Sequence, residues 1–67
     1  MSMSINMGPN EIMAFLHSLP EEIAFGFCFS FNEVVAMTKA SDFTIYFKER
    51  KVEFFNEKKV KLAEMFY

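Results

Sequence analysis

Cysteine, histidine, glycine and proline are scarce in this 67-residue chain, which has one, one, two and two of them and no tryptophan. With Cys28 alone, no disulfide can form within the chain. One histidine and one cysteine are too few for a usual zinc site, so we expect no metal. With only two glycines, Gly8 and Gly26, the sequence lacks a glycine-rich phosphate-binding loop. These shortages favour a protein without metal or cofactor.

Catalytic groups are equally sparse. Nucleophilic catalysis would need Cys28 or a serine beside His17, and the simpler interpretation is a small packing cysteine and an exposed histidine. The side chains of Glu21 and Glu22 should point apart because the two residues are adjacent. Acids that follow a proline at the boundary of an element are usually solvated. We therefore expect no enzymatic activity.

Phenylalanine is what the chain has in excess: ten of them, with six methionines, in a composition that is 52% hydrophobic. Such a chain is too apolar to be disordered. A domain this small has a high ratio of surface to volume, so some of the rings should remain at the surface unless a second chain covers them. We expect a protein partner, and self-association as a homodimer.

Charge is unevenly distributed along the chain, although the formal net charge is only −2. Residues 1–47 contain one lysine and five acids, whereas residues 48–67 contain six basic residues and four acids. The folded domain should therefore have an acidic and a basic end. Acids, lysines and asparagines interrupt every apolar run, and the single cysteine suits a reducing compartment, so we expect a cytoplasmic protein without a membrane partner.

The segment from Phe25 to Phe31 has phenylalanine at every second position. Strict alternation is typical of a β-strand, because side chains two residues apart lie on the same face of a pleat. We predict a strand over residues 23–31. Its aromatic face would carry four phenylalanines, and its other face would consist of small residues: Ala24, Gly26, Cys28 and Ser30.

The chain before this segment predicts one helix. Residues 1–8 show no periodicity and are expected to form a flexible N-terminal segment. Gly8 and Pro9 are a helix start, and Pro20 is a stop. Between them apolar residues recur at helical spacing, which predicts a helix over residues 9–19 within a single domain spanning residues 9–67.

The middle of the chain predicts a hairpin. Residues 33–40 are ambiguous, since Asn32 and Glu33 favour a helix start whereas Val34 and Val35 favour a strand, and helix is the slight preference. Residues 43–47 and 52–55 are two runs of strand formers, joined by a four-residue turn at residues 48–51. Pairing Phe47 with Val52 separates the apolar from the polar face. An amphipathic helix over residues 43–55 is the alternative.

The C-terminal segment, residues 56–67, begins with a candidate N-cap, Asn56, and contains a favourable Glu57–Lys61 spacing, so we predict a terminal helix. The apolar residues of this helix would span more of its circumference than one contact with a sheet requires, so part of the helix should contact a second surface. Together these elements predict an α+β domain, with an antiparallel sheet of three or four strands and two or three helices packed on it.

Two functions follow from these patterns. The first is a non-enzymatic protein-interaction module, a dimeric regulator or inhibitor, whose interface residues would be Phe55, Val60, Met65, Phe66 and Tyr67. The alternative is a nucleic-acid-binding module that uses the hairpin tip and the terminal helix. Against it stand four interspersed acids and an isoelectric point near 5.2. Its contacts would be Lys48, Arg50, Lys51, Lys58, Lys59 and Lys61.

Overall fold

The protein is a four-stranded antiparallel sheet with two helices on one face, in a computed structural model that describes residues 3–67. The α+β prediction is confirmed. The sheet order is β1-β2-β3-β4, and both helices lie in the connection between β1 and β2. The bounds are β1 Ser4–Met7, α1 Pro9–His17, α2 Glu21–Thr38, β2 Asp42–Tyr46, β3 Lys51–Phe55 and β4 Lys61–Phe66.

Helix α1 begins where the sequence predicts. Gly8 is the N-cap and Pro9 occupies the first turn, where its missing N–H costs nothing. The helix ends at His17, two residues before the predicted end, and its inward residues Ile12 and Leu16 are each 1% exposed. Ser4–Met7, expected to be flexible, instead form β1, which pairs with β2. The first two residues of the predicted flexible segment lie outside the described residues.

The predicted strand over residues 23–31 is wrong, since this segment belongs to the 18-residue helix α2. In a helix, residues four apart share a face and residues two apart lie on opposite faces. Phe27 and Phe31 therefore face the sheet, while Phe25 and Phe29 face outward. The ambiguous residues from Glu33 to Thr38 continue this helix, as the slight preference for helix predicted.

The central hairpin is confirmed in kind and in the sorting of its faces, but its register differs. Val52 pairs with Ile45, not with Phe47, and the four-residue turn is residues 47–50. The difference of two residues leaves every side chain on its predicted face. The turn closes when the Arg50 N–H donates to the Phe47 carbonyl at 3.3 Å, with Arg50 at a φ of 54°.

The predicted terminal helix is also wrong, because Lys61–Phe66 form the edge strand β4. Asn56 does not cap a helix. Its side-chain oxygen accepts the N–H groups of Lys58 at 2.8 Å and Val60 at 3.0 Å, and Lys59 adopts a φ of 66°. The side chain thus stabilises the turn that returns the chain alongside β3.

The core lies between the helices and the inner face of the sheet. Phe31 contacts both Phe43 and Phe54, with ring centroids 5.2 and 5.3 Å away. Ile45, Val52 and Phe54 are fully buried. Four of the ten phenylalanines are buried and three remain exposed. The expectation that the domain cannot cover all its rings is confirmed.

Candidate functional site

A groove of about 580 Å³ runs between the end of α1 and the first half of α2. Most of its lining is apolar, and two aromatic side chains stand at its rim. Phe25 is 85% exposed and Phe29 is 65% exposed. A polar pair, His17 and Glu21, completes the lining with four smaller residues: Leu16, Leu19, Ala24 and Cys28.

The short connection between the helices produces this groove. The Ser18 N–H donates to the Phe15 carbonyl at 3.0 Å and the Leu19 N–H donates to the Leu16 carbonyl at 3.3 Å. The Ser18 hydroxyl also donates to the Phe15 carbonyl, at 2.6 Å. Pro20 is the N-cap of α2, and its carbonyl accepts the N–H groups of Ile23 and Ala24. Because α1 ends and α2 begins within a few residues, the two helices meet at this corner.

The rim residues are unusual for their degree of exposure on an ordered helix. Phe25 and Phe29 are four residues apart and project from the same side of α2. A single exposed apolar side chain is ordinary, but two neighbouring aromatic rings beside an apolar groove form a contiguous patch of the kind found at binding sites.

In the helical part of the molecule, residues 3–38, the acids are not accompanied by lysine or arginine. Within the described residues none of the four glutamates there makes an ion pair. These residues are Glu11, Glu21, Glu22 and Glu33.

On the outer face of the sheet, by contrast, acids and lysines are paired with each other. Glu53 lies 3.0 Å from the Lys61 ammonium and 3.5 Å from that of Lys51, and Lys61 also contacts Glu64 at 2.6 Å. Burial raises the pKa of Glu53, but hydrogen bonds from Lys61 and Tyr46 and the two lysine charges outweigh it and lower the pKa overall. The same hydrogen bond to Glu53, followed by burial, raises the pKa of Tyr46.

A second ion pair ties the start of β2 to the turn before β4. Asp42 accepts hydrogen bonds from Lys59 at 3.0 Å and from Asn6 at 2.8 Å. Burial raises the pKa of Asp42, and these hydrogen bonds and the Lys59 charge lower it further than burial raises it. The acids of the sheet strands are therefore neutralised by lysines of the same chain.

The fold places the six basic residues predicted to contact nucleic acid in different environments. Lys51, Lys59 and Lys61 are occupied in these ion pairs, and the Arg50 guanidinium lies 5.4 Å from the Tyr67 ring. Lys48 and Lys58 lie in turns at opposite ends of β3. The basic residues are thus close in sequence without forming one patch.

The predicted interface residues do not form one patch either. Val60 and Phe66 are 55% and 63% exposed, near opposite ends of β4, while Phe55 and Met65 are half-buried. Tyr67 packs edge-on against Phe27, with ring centroids 4.9 Å apart. Four of these residues belong to the segment around β4, which forms one edge of the sheet, whereas Phe55 lies on the interior strand β3.

The candidate catalytic residues Cys28 and His17 both line the groove. Among the described residues no hydrogen bond joins them, and no group of three metal-ligating side chains occurs. Glu21 and Glu22 are exposed in the first turn of α2, where the helix dipole favours acids. In residues 3–67, neither helix is both long and apolar enough to cross a bilayer.

The sequence prediction missed the groove because it placed Phe25 and Phe29 on a strand. Their four-residue spacing was the available signal, since it is as consistent with one side of a helix as with one face of a strand. No protein-family model matches the chain, and neither a curated protein nor a solved structure is significantly similar to it.

Proposed function

We propose that this chain is a small non-enzymatic protein-interaction module that binds another protein through the groove between α1 and α2 and regulates it. The observation that carries the proposal is the exposure of Phe25 and Phe29 beside an apolar groove. Aromatic rings supply large contact areas at protein interfaces, and their burial contributes about 25 cal/mol per Å² of apolar surface.

The open edge of β4 supports self-association as part of the same proposal. An edge strand has unpaired backbone groups that can pair with another strand. Val60, Leu62 and Phe66 leave apolar surface along this edge, being 55%, 37% and 63% exposed. A homodimer formed by pairing of two β4 strands would extend the sheet and leave the helical groove accessible to a partner.

A cytoplasmic setting belongs to the proposal as well. Cys28 is a half-buried free thiol beside apolar neighbours, which suits a reducing compartment. Nucleic-acid binding, the alternative, finds little support in the charges. Three of its six basic residues are paired with carboxylates, and phosphate contacts would require those pairs to separate.

The test is a quantitative pull-down with tagged protein from the native host. We expect the double variant Phe25→Ser/Phe29→Ser to lose proteins that the wild type retains. Met37→Ser is the matched control, because Met37 is 84% exposed on the same helix but does not line the groove. Equal recovery by the double variant and the control would refute the assignment to the groove.

Sedimentation measures the dimer separately. We expect the wild type to associate and Leu62→Lys to be monomeric, because a lysine on an edge strand opposes strand pairing. A wild type that stays monomeric at about 100 μM would remove the dimer from the proposal. Titration with single-stranded and double-stranded oligonucleotides tests the alternative, and binding that weakens steeply with salt would favour it.

A further inference from the structure

We infer that the occupant of the groove is a basic amphipathic helix of the partner, with lysine or arginine flanking an apolar stripe. This inference rests on the proposed function and specifies the chemistry of the partner. It follows from three properties of the helical side: the shape of the groove, the acids on its helices and the lack of lysine and arginine in residues 3–38.

The shape suits a helix. Helix α2 is 18 residues long, and the groove lies along its first half against the end of α1. Two helices meeting at a corner present a concave apolar seam, in which the side chains of a third helix can pack as ridges in a groove. Apolar anchors spaced three, four and seven residues apart on the incoming helix would contact Phe25, Phe29 and the groove floor.

The glutamates on α2 favour a partner helix that carries basic residues. Glu21 lines the groove, Glu22 is its exposed neighbour, and Glu33 is exposed one turn beyond Phe29. No lysine or arginine lies in residues 3–38, and within the described residues these acids have no ion-pair partner. These glutamates would attract a partner that carries cations and accelerate its association, and they would repel a partner with acidic flanks.

The same charges disfavour the other occupants. A second copy would place four glutamates against four glutamates in a contact between helical sides. A nucleic acid or an anionic membrane would bring negative charge to an acidic surface. A neutral apolar helix would fill the groove but would leave the acids without a role in recognition.

The experiment uses the full chain and two synthetic helices of about 18 residues, the length of α2. Both contain the same leucine stripe, and their other positions are lysine in one and glutamate in the other. Fluorescence anisotropy at about 50 and about 300 mM salt measures both affinities. We expect the leucine–lysine peptide to bind at least about tenfold more tightly at low salt, and the difference to shrink at high salt.

Variants locate the binding. Phe25→Ser/Phe29→Ser should weaken the leucine–lysine peptide about tenfold or more, while Met37→Ser stays within about twofold. The triple variant Glu21→Gln/Glu22→Gln/Glu33→Gln should reduce the salt dependence. All the substituted positions are exposed, and unchanged circular dichroism and unfolding midpoints would establish that the variants fold.

Three outcomes would overturn the inference. They are equal affinity for the two peptides, no binding of either at about 100 μM, and a dimer that the Phe25→Ser/Phe29→Ser variant abolishes. The last would assign the groove to a second copy. If the pull-down still depends on Phe25 and Phe29 while neither peptide binds, the proposed function stands and only the basic helix is rejected.

Discussion

The two sides of this molecule use carboxylates differently. On the sheet, Asp42, Glu53 and Glu64 each contact at least one lysine of the same chain. On the helical side, four glutamates within the described residues have no such contact. The paired charges stabilise the domain itself, whereas the unpaired charges lie on the side that carries the exposed aromatic rings, where we propose that a partner binds.

Phenylalanines also differ between the core and the helical surface, and this difference predicts the largest effect on the free energy of unfolding. Phe54 is fully buried and Phe25 is 85% exposed. We expect Phe54→Ala to lower the free energy of unfolding by about 3–5 kcal/mol and Phe25→Ala to change it by less than about 0.5 kcal/mol. Urea unfolding followed by circular dichroism measures both. Similar losses in the two variants would show that Phe25 stabilises the fold.

A smaller difference is expected between two glutamates. Glu53 lies 3.0 Å from the Lys61 ammonium, and Lys61 and Tyr46 help to lower its pKa, so Glu53→Gln should cost about 1–2 kcal/mol of unfolding free energy. Glu33→Gln on the exposed side of α2 should stay within about 0.5 kcal/mol. Thermal and urea unfolding of the two variants provide the comparison, and a neutral Glu53→Gln would mean that the lysine network adds nothing measurable.

Acid should weaken the sheet side. The pKa values of Asp42, Glu53 and Glu64 lie below their ordinary values of 3.8, 4.5 and 4.5. A carboxylate with a depressed pKa in the folded state stabilises the fold above its unfolded pKa, and this contribution is lost as pH falls through the folded pKa. The urea midpoint should therefore fall as pH drops below about 4.5, and it should fall less in Asp42→Asn/Glu53→Gln. Equal acid sensitivity in that variant would contradict this explanation.

The smallest expected effect is a gain. Gly26 lies within α2, and a Cβ built there meets no atom within 4 Å. Glycine is a poor helix former, so Gly26→Ala should stabilise the protein by about 0.5–1 kcal/mol. A thermal melt measures the gain, with Ser30→Ala on the same helix as the reference. A loss of stability would indicate that the backbone at Gly26 is not relaxed in the helix.

Local signals in the sequence predicted part of the fold. Gly8 and Pro9 marked the start of α1 correctly, because capping depends on neighbouring residues alone. The faces of the β2–β3 hairpin were also correct, since an even shift in register leaves side chains on the same side. The register itself was wrong because the turn accommodates Phe47, whose ring packs against Phe15 with centroids 5.8 Å apart.

The two errors in secondary structure have separate causes. Alternating phenylalanines suggested a strand, yet four rings two residues apart also form two opposed pairs on a helix, and the uninterrupted run to Thr38 was long enough for one. At the C-terminus, the side chain of Asn56 acts in a turn rather than at a helix end. That choice depends on pairing with β3, which short-range patterns do not contain.

The candidate site was not predicted because residues 23–31 were assigned to a strand. With Phe25 and Phe29 on a strand, the groove between α1 and α2 could not be foreseen, and the interface was assigned to the C-terminal residues instead. The prediction that some aromatic rings would remain exposed depended only on chain length and composition. It was therefore correct although the secondary structure of the Phe25–Phe31 segment was wrong.

The position of the two helices between β1 and β2 has a consequence for how the domain forms. Strands β2, β3 and β4 are joined by short turns, whereas β1 reaches its partner only after both helices have been placed. Closing that long segment costs more chain entropy, so we expect the three-stranded meander to form first and β1 to dock last. In native-state hydrogen exchange, the amides of Ser4–Met7 should then open before those of β3, and the strand nearest the beginning of the chain would be the last one gained and the first one lost.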